Sequence, residues 1–151
     1  APVAPPPAFQ SGGGGLLTTA PDFMRFSLML AGGGSFGPAR ILGRKTVELM
    51  TRNHLPGSRD VATLMDGETT SDFYHCRGLG FGLGVAVVLR PELGFHCSDG
   101  SYFWHGVGST YHFHDLVENL TVVAMAQFAP CFGEINVRYA LAGLAEQALV
   151  D

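Results

Sequence analysis

The run from Ser101 to Gln127, SYFWHGVGSTYHFHDLVENLTVVAMAQ, constrains the fold more than any other part of the chain. Three stretches rich in aromatic and β-branched residues, Tyr102–His105, Thr110–His114 and Leu120–Gln127, are separated by short reversals. Such residues suit a pleated, half-buried surface, and the Gly, Asp and Asn between them suit tight turns. Links this short join antiparallel neighbours, because parallel strands need a crossover of a dozen or more residues. A further strand is predicted over Leu79–Leu89, where Leu79, Phe81, Leu83, Val85 and Val87 alternate with Gly80, Gly82, Gly84 and Ala86. Period-two alternation puts the bulky residues on one face and leaves the other nearly bare. A bare Gly/Ala face implies something packed close to the backbone.

Helices supply the rest. Thr19, Pro21 and Asp22 read as an N-terminal cap, Phe23, Phe26 and Leu30 fall at helical spacing, and Gly32–Gly34 ends the run. A shorter helix is predicted over about Thr46–Arg52, and a last one over about Glu134–Leu149. In that last helix Val137, Leu141, Leu144 and Ala148 form an apolar stripe. It is the best candidate to cover the Gly/Ala face. The fold class is therefore α/β of the α+β type, a small antiparallel sheet of about four strands flanked by helices. Residues 1–15 read as a Pro/Gly-rich extended lead and 16–151 as one domain, with 56–76 a polar, exposed excursion.

Charge and composition narrow the function. A net charge of −4 provides no basic field for nucleic acid or anionic lipid. No segment has the ~18 uninterrupted apolar residues that span a membrane. The first ten residues have neither the cationic start nor the long apolar run of a signal peptide. Three cysteines, Cys76, Cys97 and Cys131, argue against a disulfide framework and favour a reducing, cytoplasmic setting.

Three segments, in this order, resemble the serine β-lactamase and penicillin-binding-protein superfamily, best its class C-like esterase branch. SGGGGLLTTAPDFMRF (11–26) is similar to a Gly-rich turn leading into a helix of the form D-hydrophobic-x-R-F. ARILGRKTVELM (39–50) is similar to R-I-L-S-x-x-T-V-x-x-M. Trp104-His105-Gly106 stands where the family has K-T-G, H-x-G or W-G-G, followed by Gly108, Thr110, Tyr111, Asp115, Asn119, Leu120 and Gln127 in the expected pattern. The resemblance covers nearly the whole chain but only the family's C-terminal part.

It implies a hydrolase of small esters, lactones or β-lactams that works through a Ser nucleophile activated by a Lys three residues on, assisted by a Tyr from a Y-x-N motif. It further implies that the backbone N–H of Val107 is an oxyanion donor, that Trp104 and His105 line the substrate cleft, and that Gly106 lets substrate approach. No cofactor is implied. No Ser of this sequence has Lys at +3, Lys45 being the only lysine, and no Tyr has Asn at +2. The nucleophile would come from an N-terminal half, as a partner chain or as part of a longer enzyme.

Two alternatives use the same residues. One is a non-catalytic remnant or binding module that self-associates over an exposed apolar face, as a homodimer for instance. The other is a metal-assisted hydrolase on His105, His112 and His114, whose bland reading is strand histidines facing solvent or a missing domain. His75/Cys76 with His96/Cys97 lack zinc-site spacing, and Ser109 is not in a G-x-S-x-G elbow.

Overall fold

The structure, a computed structural model, describes residues 8, 9, 13, 16–64, 76–128 and 137–150, with 137–139 described as backbone only. The lead at 1–15 lies largely outside the described residues, as do 65–75, His75 and Cys131.

Helix α1 runs Ala20–Ala31, and its cap forms as the sequence implies. The Thr19 hydroxyl accepts from the Asp22 N–H at 3.3 Å and donates to the Asp22 carboxylate at 2.8 Å, with Pro21 in the first turn. The buried line is Ser27, Met29 and Leu30, whereas Phe26 is exposed. A two-stranded hairpin follows, β1 (Ser35–Phe36) with β2 (Ala39–Arg40), then α2 (Arg44–Met50) and the single turn α3 (Val61–Leu64).

The main sheet is a five-stranded antiparallel meander, β3 (Leu79–Phe81), β4 (Ala86–Val88), β5 (Tyr102–His105), β6 (Tyr111–Asp115) and β7 (Leu120–Ala124), in that order across the sheet. It has one strand more than anticipated because Leu79–Leu89 is a hairpin. Gly84 has φ +91° and the Gly82 N–H reaches the Val85 carbonyl at 2.8 Å, so the chain reverses within the alternating run. Leu79 then lies opposite Val88, and Phe81 opposite Ala86.

What packs against the glycines is also different. A methyl on Gly80 would fall 2.5 Å from Asn53 Cγ, and one on Gly82 would overlap the Met50 carbonyl. The segment leaving α2 fills that space, not the C-terminal helix. Asn53 joins the two elements: its Oδ1 accepts from the N–H groups of Leu55 and Phe81, each at 3.1 Å, and its Nδ2 donates to the Arg59 carbonyl at 2.9 Å.

The C-terminal helix α4 (Val137–Gln147) covers the other face, where Leu79, Ala86, Val88, Phe103, Tyr111 and Phe113 form the main core cluster and Ala142 packs against it. Ala142 takes the place expected of Leu144, which is 63% exposed. Helix α1 lies on the opposite side against β6 and β7, with the Phe23 ring edge-on to His112 at 5.5 Å. The result is three layers, helix on sheet on helix.

Residues 56–76 were expected to be exposed, yet Asp60 is buried. Its carboxylate accepts from the Thr63 N–H at 2.8 Å and the Gly78 N–H at 3.0 Å, and pairs with Arg90. Burial alone would raise its pKa; hydrogen bonds from Thr63, Gly78 and Arg90 outweigh it and hold the group well below the usual carboxylate range. The node ties α3 to the start of β3 and the end of β4.

Candidate functional site

The W-H-G-V residues sit at the end of β5 and in the turn after it. By register His105 lies opposite Tyr111, and Trp104 opposite His112. Trp104 is 38% exposed, stacked on the His105 ring at 4.8 Å and 13°, and met edge-on by Phe81 at 4.9 Å. Phe81, which the sequence placed only on the bulky face of a strand, packs against Trp104 here. Its ring arrives from β3, more than twenty residues away, and no local spacing signals it.

Gly106, Val107, Gly108 and Ser109 form a four-residue turn in which the Ser109 N–H reaches the Gly106 carbonyl at 3.1 Å. The Gly106 N–H also donates to Thr110 O at 3.0 Å. A Cβ on Gly106 would overlap Thr110 Oγ1, so glycine there leaves the Thr110 hydroxyl undisturbed. Ser109 has φ +64°, and its hydroxyl donates to the Phe128 carbonyl at 2.8 Å while the Phe128 N–H returns to Gly108 O at 3.0 Å. Buried and committed to the backbone, Ser109 serves as a strut. It pins the turn to the segment after β7.

Val107 stands at the apex, 78% exposed. Among the described residues its N–H donates to no backbone carbonyl.

The three histidines do not assemble. His112 and His114 share a face, with Nδ1 of His112 3.1 Å from Nε2 of His114 and Nδ1 of His114 3.3 Å from Thr121 Oγ1. His105 pairs with Tyr111, one position before His112, and so lies on the opposite face. Nor do His112 and His114 face solvent, because α1 covers them and His114 stacks on Tyr102 at 4.5 Å. Burial lowers the pKa of His112 to about 4; burial and the charge on His112 lower that of His114 to about 3. Both are neutral near pH 7, one lending its N–H to the other. Among the described residues no group of three or more His, Cys, Asp and Glu side chains comes together to hold a metal.

Cys76 and Cys97 are half-buried free thiols. Burial first, then Asp115 and Glu146, push Cys97 up to about 11, and burial followed by Asp60 raises Cys76. Neither is an activated nucleophile. Among the described residues no helix is long and apolar enough to cross a membrane.

The fold is hydrolase-like. One similar solved structure is EstCE1, described as a hydrolase with promiscuous acyltransferase activity, which is 26% identical with a TM-score of 0.59 over 85% of this chain and 29% of that one. Protein Rv1367c and uncharacterized protein MT1414, both of Mycobacterium tuberculosis, are each 30% identical over 133 residues, 85% of this chain and 32% of theirs. The chain thus spans about a third of the length of the relatives it matches. No family model matches it.

Proposed function

We propose that this chain supplies the oxyanion and substrate wall of a serine β-lactamase-like hydrolase acting on small esters, lactones or β-lactams. The observation that carries the reading is the N–H of exposed Val107, which has no carbonyl partner among the described residues, on a turn clamped by Ser109 and Phe128 beside the Trp104–His105 shelf. Likeness to a hydrolase with acyltransferase activity supports the same chemistry.

In that chemistry a serine hydroxyl attacks the substrate carbonyl carbon, the C–O π pair moves to oxygen, and the N–H of Val107 donates to the resulting oxyanion. Collapse of the tetrahedral species re-forms the carbonyl and expels the alcohol, after which water repeats the sequence on the acyl-enzyme. Trp104 and His105 hold the flat carbonyl group against the strand end. The nucleophile and its lysine come from outside these 151 residues, since no Ser here has Lys at +3.

Trp104 is the only tryptophan, so its fluorescence reports this wall alone. A p-nitrophenyl alkylphosphonate carries the charge and shape of the tetrahedral oxyanion and should quench that emission saturably. Val107 occupies the second position of its turn, where proline is well accommodated. Val107→Pro therefore removes the N–H while keeping the turn and should weaken phosphonate binding roughly ten-fold, the scale of one charge-assisted hydrogen bond. Val107→Ala should bind as the parent does. Equal binding by the proline and alanine variants would remove Val107 from the mechanism.

A further inference from the structure

A second recess lies on the face of the sheet that carries α4. Its volume is about 460 Å3, within the range of ~300–1,000 Å3 typical of small-molecule sites. The floor is Phe103, Tyr111 and Phe113 of β5 and β6, with the Tyr111 ring 5.7 Å from Phe103 and stacked on Phe113 at 6.4 Å and 6°. Phe95 lines a side, and α4 closes another with Ala142 and Glu146. By register Phe103 and Phe113 point away from the Trp104 and His112 side, and none of Trp104, His105 and Val107 lines this recess. With sheet, loop and helix already around it, the space is a chamber rather than a bare sheet face.

Glu146 gives the chamber its chemistry. Its Oε1 is buried and has no hydrogen-bond partner among the described residues. A buried carboxyl oxygen without a donor is costly. Burial, with the neighbouring charges of Asp115 and Glu118, raises the pKa of Glu146, so the surroundings reject its negative charge unless a positive one arrives. Asp115 and Glu118 also line the open basin into which Glu146 faces on its other side. Arg77 lines the chamber but not that basin. The Glu146 end is therefore acidic, and the body of the chamber is aromatic, a combination that suits an ammonium group on an apolar frame.

We propose that this chamber binds a small apolar primary amine, with its ammonium group on Glu146 and its hydrocarbon body over Phe103, Tyr111 and Phe113.

Three probes of one shape test it: 3-phenylpropylamine, 3-phenylpropan-1-ol and 3-phenylpropionate, titrated into the chain by calorimetry. The amine should bind roughly ten-fold more tightly than the alcohol, and the propionate more weakly than either. Glu146→Gln should bring the amine down to the level of the alcohol and leave the alcohol unchanged. Ala142→Leu narrows the chamber and should weaken amine and alcohol alike, with unaltered Trp104 emission showing that the fold is intact. Saturable propionate binding as tight as that of the amine overturns the proposal, and so does amine binding that ignores Glu146→Gln or Ala142→Leu. The absence of any saturable site, as when a second copy or another polypeptide segment closes the chamber, overturns it equally.

Discussion

At Gly106 the turn itself supplies a reason for glycine. A Cβ there would overlap Thr110 Oγ1, while the next atom it would meet, Thr110 Cβ, stands 3.8 Å away. Gly106→Ala should accordingly cost about 1–3 kcal/mol, the usual penalty of a forced contact, seen as a lower urea midpoint. Thr110→Ala removes the hydroxyl and should restore most of that loss when combined with Gly106→Ala. A double mutant no more stable than Gly106→Ala alone would place the constraint elsewhere. The sequence marked Gly106 by its place in the W-H-G triplet and assigned the small size to substrate access. It could not display Thr110 as the neighbour, because that contact exists only once the turn closes. Ser109 is the converse case. Its lack of a nucleophile context was legible, whereas its work as a strut to Phe128 depends on where the segment after β7 runs.

Elements were legible where a local signal was complete. Thr19, Pro21 and Asp22 fall within one turn, and α1 starts there; Tyr102–His105 formed as β5 without adjustment. Leu79–Leu89 was misread because a hairpin through Gly82–Val85 keeps the alternating pattern of a single strand. The C-terminal helix lies on the sheet as expected but on the face away from Gly80 and Gly82, and its buried side uses Ala142 where the apolar stripe pointed to Leu144. Large residues mark a face only when a partner is near enough to cover them, and here small residues let the helix approach. The same logic makes Asn53 the joint between α2 and the β3–β4 hairpin. Asn53→Ala removes one acceptor serving two N–H groups and one donor, and should cost roughly 2–3 kcal/mol. Asn53→Asp keeps the acceptor and should cost about half as much by urea unfolding. Equal losses would show that the Arg59 contact carries the joint.

For the whole molecule, the His112–His114 pair between sheet and α1 sets how the fold meets acid. Sequence alternation put both on one face, and the layer that buries them could not be read without knowing that α1 packs there. In the unfolded chain each titrates near 6.5. In the fold burial holds them at about 4 and about 3. Below pH 6.5 the unfolded state binds protons that the folded state refuses, so stability falls as pH drops. The contribution is complete above pH 6.5 and is lost progressively as pH falls toward 4, the window fixed by His112. Asp60 and Asp115 are held below their ordinary range, so their losses share the sign but begin lower, where unfolded carboxylates titrate. One buried histidine shifted this far is worth on the order of 3 kcal/mol, which is a large part of a typical domain's stability. Urea midpoints measured from pH 7.5 down to pH 4.5 should decline steadily, and His112→Phe, which keeps a ring against Phe23, should flatten the upper part of that decline. An unchanged slope in His112→Phe would mean that the acid response arises from His114 and the carboxylates and owes nothing to His112.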